Sequence, residues 1–150
     1  MEKSHRMRAV LFVVVVLLLT RVAGATDDPV PHVVRYAAPS HTEAARRGRV
    51  EGTVTVEVVV AADGTVKSSH TTNELRLGLD WAVHRVLPSW RFNKSALAER
   101  TATLEFTFIL EPFCTKQSRS LFEAPYRVKI WTPGPALDYP APKCPDTAPQ

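Results

Sequence analysis

The side chains that could do chemistry in this sequence are few and widely spaced. Nucleophilic, metal-binding and phosphate-binding sites need particular residue types at recurring spacings, and no GxSxG, HExxH, P-loop or GxGxxG motif occurs. Asp63 fits a tight turn and Asp80 fits the start of a helix, so both have structural explanations. The histidines considered as ligands or bases show no recurring ligand spacing: His32, His41, His70 and His84. We therefore expect no catalytic residue, no metal and no cofactor.

The two cysteines, Cys114 and Cys144, could form a disulfide or a reactive thiol pair. Two sulfurs cannot complete a structural zinc site, and no histidine lies near either of them in the sequence. The thiol alternative lacks a CxxC motif or a neighbouring base that would lower a thiol pKa. In an oxidising compartment the pair is most simply one disulfide that closes a loop of about 30 residues.

The N-terminus predicts export to such a compartment. A basic opening precedes eleven unbroken apolar residues, Ala9–Leu19, which is the length of a signal-peptide core and about half of what a membrane-spanning helix needs. Ala23-Gly24-Ala25 then matches a cleavage site, and the mature chain would begin at Thr26. The alternative is an uncleaved inner-membrane anchor facing the periplasm, which would hold Arg21 within the bilayer.

The charge distribution argues against nucleic-acid binding. The formal net charge is +4, but residues 1–25 contribute +3 of it, and the remainder has 15 Lys and Arg against 14 Asp and Glu. A basic footprint is therefore missing from the predicted mature chain. Few basic residues are interleaved with the aromatic side chains, which therefore fit a core and its edge better than a base-stacking platform.

Alternating residues predict a hairpin. In Thr53–Val60 the valines occupy every second position, which indicates a half-buried strand. Asp63-Gly64 supplies residues suited to a tight turn, and Val66–Thr71 can return as an antiparallel strand. The stretch TATLEFTFIL, which ends at Leu110, alternates again and predicts a third strand.

Two helices complete the predicted unit. Ser40 or Thr42 can cap a short helix over Glu43–Arg47. Apolar residues from Leu79 to Leu87 follow helical spacing, and Pro88 should end that second helix. The sequence therefore predicts an α+β fold, a two-layer sandwich of two helices on a three-stranded antiparallel sheet.

The domain organisation follows from composition. Eight of the twelve prolines and both cysteines lie after Leu110, so this part is expected to be a Pro-rich, disulfide-stapled C-terminal extension with one strand-like run, Tyr126–Trp131. The predicted segments are a signal peptide (1–25), an extended lead-in (26–39), the α+β domain (40–110) and the extension (111–150).

Without a catalytic site, the exposed sheet edge is the best candidate for function. An edge strand can pair with an extended peptide, and the strand ending at Leu110 is long, free of proline and largely uncharged. Its alternative role is an edge protected by the extension or by self-association. The residues predicted to contact a partner are Thr103, Leu104, Glu105, Phe106, Thr107, Phe108, Ile109 and Leu110.

The order of elements resembles the C-terminal domain of TonB-family energy transducers. The resemblance covers about half of the chain and lies in AARRGRVEGTVTVEVVVAADGTV, followed by a leucine-aspartate pair, nine residues and WRF. The family-motif residues, expected to be structural, are Glu51, Gly52, Asp63, Gly64, Leu79, Asp80, Trp90, Arg91 and Phe92.

The resemblance implies a periplasmic domain that engages segments of outer-membrane transporters through its last strand and supports TonB-dependent transmembrane transport. Other envelope proteins are possible partners and a homodimer stays open, whereas no nucleic acid or small-molecule substrate is expected. The alternative is a structural or self-associating periplasmic module with a closed edge and no role in energy transduction. In one hypothesis, Tyr126–Trp131 pairs with Thr103–Leu110, the cysteine bridge holds it there, and the peptide site is blocked or regulated.

Overall fold

The computed structural model describes residues 28–115, 117–136 and 144. The predicted signal peptide lies outside the described residues, as do the start of the lead-in and most of the chain after Ala136. Within the described part, no helix is both long enough and apolar enough to cross a membrane.

The described chain forms seven strands and two helices. Their order and bounds are β1 (Val33–Arg35), α1 (Glu43–Arg47), β2 (Gly52–Ala61), β3 (Val66–Asn73), α2 (Leu79–Val86), a 3₁₀ turn (Leu87–Ser89), β4 (Arg91–Phe92), β5 (Glu99–Glu111), β6 (Arg119–Glu123) and β7 (Arg127–Pro133). The predicted helices and hairpin are present, and β1, β4 and β6 are additional.

The main sheet has five strands in the order β3-β2-β5-β7-β6. The expected three-stranded sheet is therefore wrong, because the β6–β7 hairpin from the predicted extension joins it. The expectation of an all-antiparallel sheet is also wrong, since β7 runs parallel to β5. Strands β1 and β4 form a separate two-stranded ribbon.

One face of the main sheet carries the core. Alternate residues of β2 and β5, among them Val56, Val58 and Phe106, are fully buried, and β7 adds Val128 and Ile130. Both helices contribute buried side chains to the same cluster, which confirms the two-layer arrangement. The opposite face carries mostly polar side chains, as expected for an antiparallel pair with one face in water.

The helix boundaries follow local chemistry. Thr42 caps α1 by accepting a hydrogen bond from the Ala45 amide (3.1 Å), which selects one of the two predicted caps. Helix α2 ends at Val86 and continues as the 3₁₀ turn that contains Pro88. This outcome agrees with the prediction that the proline, which lacks a donor, ends the helix.

The lead-in is tied to the domain more closely than expected. Its β1 segment pairs with β4, and the Ala37 carbonyl accepts a hydrogen bond from the Trp90 indole nitrogen (2.9 Å). Tyr36 stacks on Phe122 of β6, with ring centroids 5.1 Å apart. The lead-in therefore contacts both the segment that carries Trp90 and β4, and the β6–β7 hairpin of the extension.

Candidate partner-binding site

The predicted contact strand lies inside the sheet. Strand β5 pairs antiparallel with β2 from Glu99 to Phe108, and its other side pairs with β7 from Glu105 to Glu111. The open edge expected for Thr103–Leu110 is therefore wrong from Glu105 onward. The side chains of β5 alternate between the buried core (Leu104, Phe106, Phe108) and the outer face (Thr103, Glu105, Thr107, Ile109).

The β5–β7 pairing is held by a backbone hydrogen bond at each end and by an ion pair at its start. At its start the Glu105 amide donates to the Tyr126 carbonyl (2.9 Å), and the Glu105 carboxylate pairs with Arg127 (3.0 Å). At its end the Gly134 amide donates to the Glu111 carbonyl (2.8 Å). The pairing hypothesised between Tyr126–Trp131 and Thr103–Leu110 is therefore present from Glu105 onward.

The hairpin is integrated into the core. Val128 and Ile130 of β7 are buried, and burying one such side chain stabilises a fold by about 1.5–3 kcal/mol. Cys114 and Cys144 form the predicted disulfide, with their Cα atoms 5.3 Å apart. The loop that this disulfide closes contains both β6 and β7.

Several stretches of strand edge lack a pairing strand among the described residues, and three of them lie at the ends of the main sheet or on the predicted contact strand. The first two are the outer sides of β3 and β6, which stand at the two ends of the strand order. The third is the part of β5 that precedes Glu105, since β7 begins only opposite that residue. At each of these three stretches an extended peptide could add to the sheet.

The third stretch borders a cavity, which we call the notch. It has a volume of about 440 Å³ and is lined by Thr101, Ala102 and Thr103 of β5, by Glu57 of β2, by Pro29, Val30 and Pro31 of the lead-in, and by Tyr126. Sequence reasoning did not find the notch, because the lead-in showed no periodicity. The proline pair that forms its wall was the one available signal.

The glycines of the family motif have backbone roles. Gly64 adopts φ +85°, and a Cβ there would stand 2.1 Å from the Phe92 carbonyl oxygen, so only glycine fits. Gly52 also has positive φ. The Glu51 carboxylate accepts a hydrogen bond from the Leu110 amide. Hydrogen bonds from the Thr65 side chain and backbone hold the pKa of Asp63 below its usual value and brace the turn.

The rest of the motif positions α2 and the segment after it. Leu79 and Trp90 are fully buried and Phe92 is nearly so, while Asp80 lies in the first turn of α2, where a carboxylate favours the helix dipole. The Arg91 guanidinium donates to the carbonyls of Pro88 and Trp90 (2.7 and 2.6 Å). The arrangement supports the structural role expected for these residues.

Within the part of the chain that the structure describes, the histidines do not assemble into a reactive group. Both ring nitrogens of His84 are engaged by hydroxyls, Nδ1 with Ser69 (2.8 Å) and Nε2 with Thr71 (2.7 Å). A hydrolytic triad would need a carboxylate on one side of the ring, and here that side is taken by a hydroxyl. No cluster of three or more candidate metal ligands is found among the described residues.

The fold and its surfaces together define a class of protein. That class is the two-layer α+β domain with unpaired strand edges among its described residues, the kind of edge to which an extended segment of another protein can add.

The comparisons with known proteins agree with this class. Residues 37–110, about half of the chain, match the family of Gram-negative bacterial TonB protein C-terminal domains. The family consists of non-enzymatic, envelope-associated domains that interact with outer-membrane transporters. The resemblance read from the sequence is therefore confirmed.

Among solved structures, the chain is similar to the solution NMR structure of the Pseudomonas aeruginosa TonB C-terminal domain. The identity is 23%, the match covers 56% of this chain and 90% of that chain, and the TM-score is 0.44. No curated protein sequence matches the chain.

Proposed function

We propose that this protein is an exported, non-enzymatic interaction protein that binds periplasmic segments of outer-membrane transporters by β-strand addition, in association with TonB-dependent transport. The observation that carries the proposal is the family match of residues 37–110. The unpaired strand edges support the mode of binding, because main-chain hydrogen bonds to an edge can hold an extended segment.

The hairpin limits where such a segment can bind. From Glu105 to Leu110, the predicted contact residues of β5 already pair with β7, and a segment that replaced β7 would expose Val128 and Ile130. We therefore propose that, while the hairpin is in place, partners add at an unpaired edge rather than along the second half of β5.

The experiment is a titration of the oxidised full chain with synthetic N-terminal peptides of TonB-dependent transporters, followed by the amide resonances of each strand. Binding by strand addition predicts shifts on one unpaired edge and slower amide exchange there. The matched control is each peptide with alternate residues replaced by proline, which removes the donors that pairing needs. Shifts on no strand, or shifts equal for both peptides, would contradict the proposal.

The pairing of β7 with β5 favours a second candidate function. In that candidate the protein is a structural or self-associating envelope module whose main edge is closed and which energises nothing. It predicts that no transporter peptide binds and that the protein forms dimers as its concentration rises. Sedimentation velocity over a hundredfold concentration range distinguishes the two, because a transporter-binding monomer keeps a constant sedimentation coefficient.

A further inference from the structure

The notch presents backbone groups that lack a pairing strand. Neighbouring residues of a strand direct their amide and carbonyl groups to opposite sides, and the Glu105 amide points to the β7 side. Thr103 and Thr101, two and four residues earlier, therefore direct theirs to the same side. No described strand pairs with them there, because β7 begins opposite Glu105.

The lead-in borders these groups without pairing with them. Pro29 and Pro31 have no amide hydrogen, and the Val30 amide donates to the Asp28 carboxylate (2.9 Å). The Pro31 carbonyl accepts from the Tyr126 hydroxyl (2.6 Å). This wall therefore offers no donor to β5, and the notch stays open beside an edge that can still form hydrogen bonds.

The charge at the notch is negative. Glu57 lies directly across from Thr103 in the β2–β5 register, and its side chain is exposed. Among the described residues no basic side chain forms an ion pair with it, although Glu105 and Glu99 on the next strand are both paired, with Arg127 and Lys67. A Lys or Arg side chain from a partner protein would give Glu57 the ion pair that Glu105 and Glu99 already have.

We propose that the notch binds a short extended segment of a partner protein, in line with β7, that pairs with the backbone of Thr101 and Thr103 and directs a Lys or Arg side chain at Glu57. The volume of about 440 Å³ lies within the range of small ligand sites. This inference rests on the proposed function and specifies a site and a side-chain chemistry for it.

The test uses the oxidised full chain and two blocked pentapeptides, Ser-Val-Lys-Val-Ser and its counterpart with glutamate at the centre. The lysine peptide is expected to shift the amides of Thr101 and Thr103 and to slow their exchange, while the glutamate peptide binds about two- to fivefold more weakly, as befits an exposed ion pair. Thr103→Pro should abolish binding and keep the β2 ladder, because its amide faces the notch.

A charge exchange makes the test independent of that proline variant. Glu57→Lys should reverse the preference so that the glutamate peptide binds better, whereas Glu74→Lys changes the net charge equally at an exposed residue that does not line the notch and should leave the preference unchanged. Binding that ignores Glu57→Lys, or amides of Thr101 and Thr103 that are already protected in the free protein, would overturn the inference.

The outcome for the notch is separable from the proposed function. If transporter peptides shift only amides of β3 or β6 and the pentapeptides leave Thr101 and Thr103 unchanged, the notch inference fails and strand addition stands. If neither kind of peptide shifts any edge amide, both fail.

Discussion

At the scale of single residues, the fold fixes the neutral tautomer of His41 and lowers its pKa. Its Nε2 atom lies 2.9 Å from the Val50 carbonyl, so Nε2 carries the proton in the neutral ring. The Nδ1 atom is buried and has no hydrogen-bond partner among the described residues. Burial first, and then nearby Arg46, lower the pKa of His41, while Glu51 acts in the opposite direction.

This lowered pKa predicts a pH dependence of stability. Because the folded state binds a proton at His41 less readily than the unfolded chain, the free energy of unfolding should be highest above about pH 6.5 and fall as the pH decreases below it. Urea denaturation between pH 7.5 and 5.5 measures the effect. His41→Gln should flatten the profile over this range, and an unchanged slope in the variant would contradict the assignment to His41.

At the scale of elements, the sequence predicts the buried face of a strand better than the strands with which it pairs. Alternation in Thr53–Val60 correctly indicated which side of β2 is buried, because apolar residues at every second position mark the face that packs against the core. Local sequence does not specify the partner of a strand. An open edge on β5 and its pairing with Tyr126–Trp131 were therefore alternatives, and β7 covers β5 from Glu105 onward. Strand β6 was missed because RSLFE is short and its apolar and polar residues do not alternate.

The candidate site divides in the same way. The motif residues and the disulfide were found from the sequence, since turn glycines and paired cysteines carry local signals. The notch depends on where β7 begins and on the position of the lead-in beside β5. Both are set by tertiary structure, which local sequence patterns do not specify. Only the missing amides of Pro29 and Pro31 were visible beforehand.

The buried face of β7 predicts that the hairpin unfolds together with the domain. Ile130→Ala should lower the free energy of unfolding by about 2–5 kcal/mol, because Ile130 is packed in the shared core. The matched control is Leu121→Ala in β6, where the half-exposed side chain lies outside the core, with an expected loss within about 0.5 kcal/mol. Urea denaturation provides both values. Equal effects would indicate a hairpin that detaches before the domain unfolds.

At the scale of the whole molecule, one chain combines a family domain with a segment that completes its sheet. Residues 37–110 match the family, yet the core extends beyond them to Ile130. The Cys114–Cys144 bridge encloses the added hairpin, so the added segment is fastened at both of its ends.

Removal of the bridge is therefore predicted to destabilise the protein. On the chain-entropy account, a closed loop of about 30 residues contributes about 3–4 kcal/mol, and the double variant Cys114→Ser, Cys144→Ser should lose that amount in urea denaturation. Reducing agent should lower the stability of the unaltered protein similarly and leave the variant unchanged. If the double variant kept full stability, the loop would be restrained by its other contacts alone.

The parallel pairing of β7 with β5 also determines how much free peptide is needed to compete for β5. Because β7 is covalently joined to β5, it meets its partner at the effective concentration of a tethered segment, which is in the millimolar range for short linkers. A free peptide with the same intrinsic affinity would need a comparable concentration to occupy half of the sites. Peptides that bind weakly or are present at low concentration therefore do not displace β7 from Glu105–Glu111. Partners are instead distinguished at the surfaces that the protein's own chain does not cover.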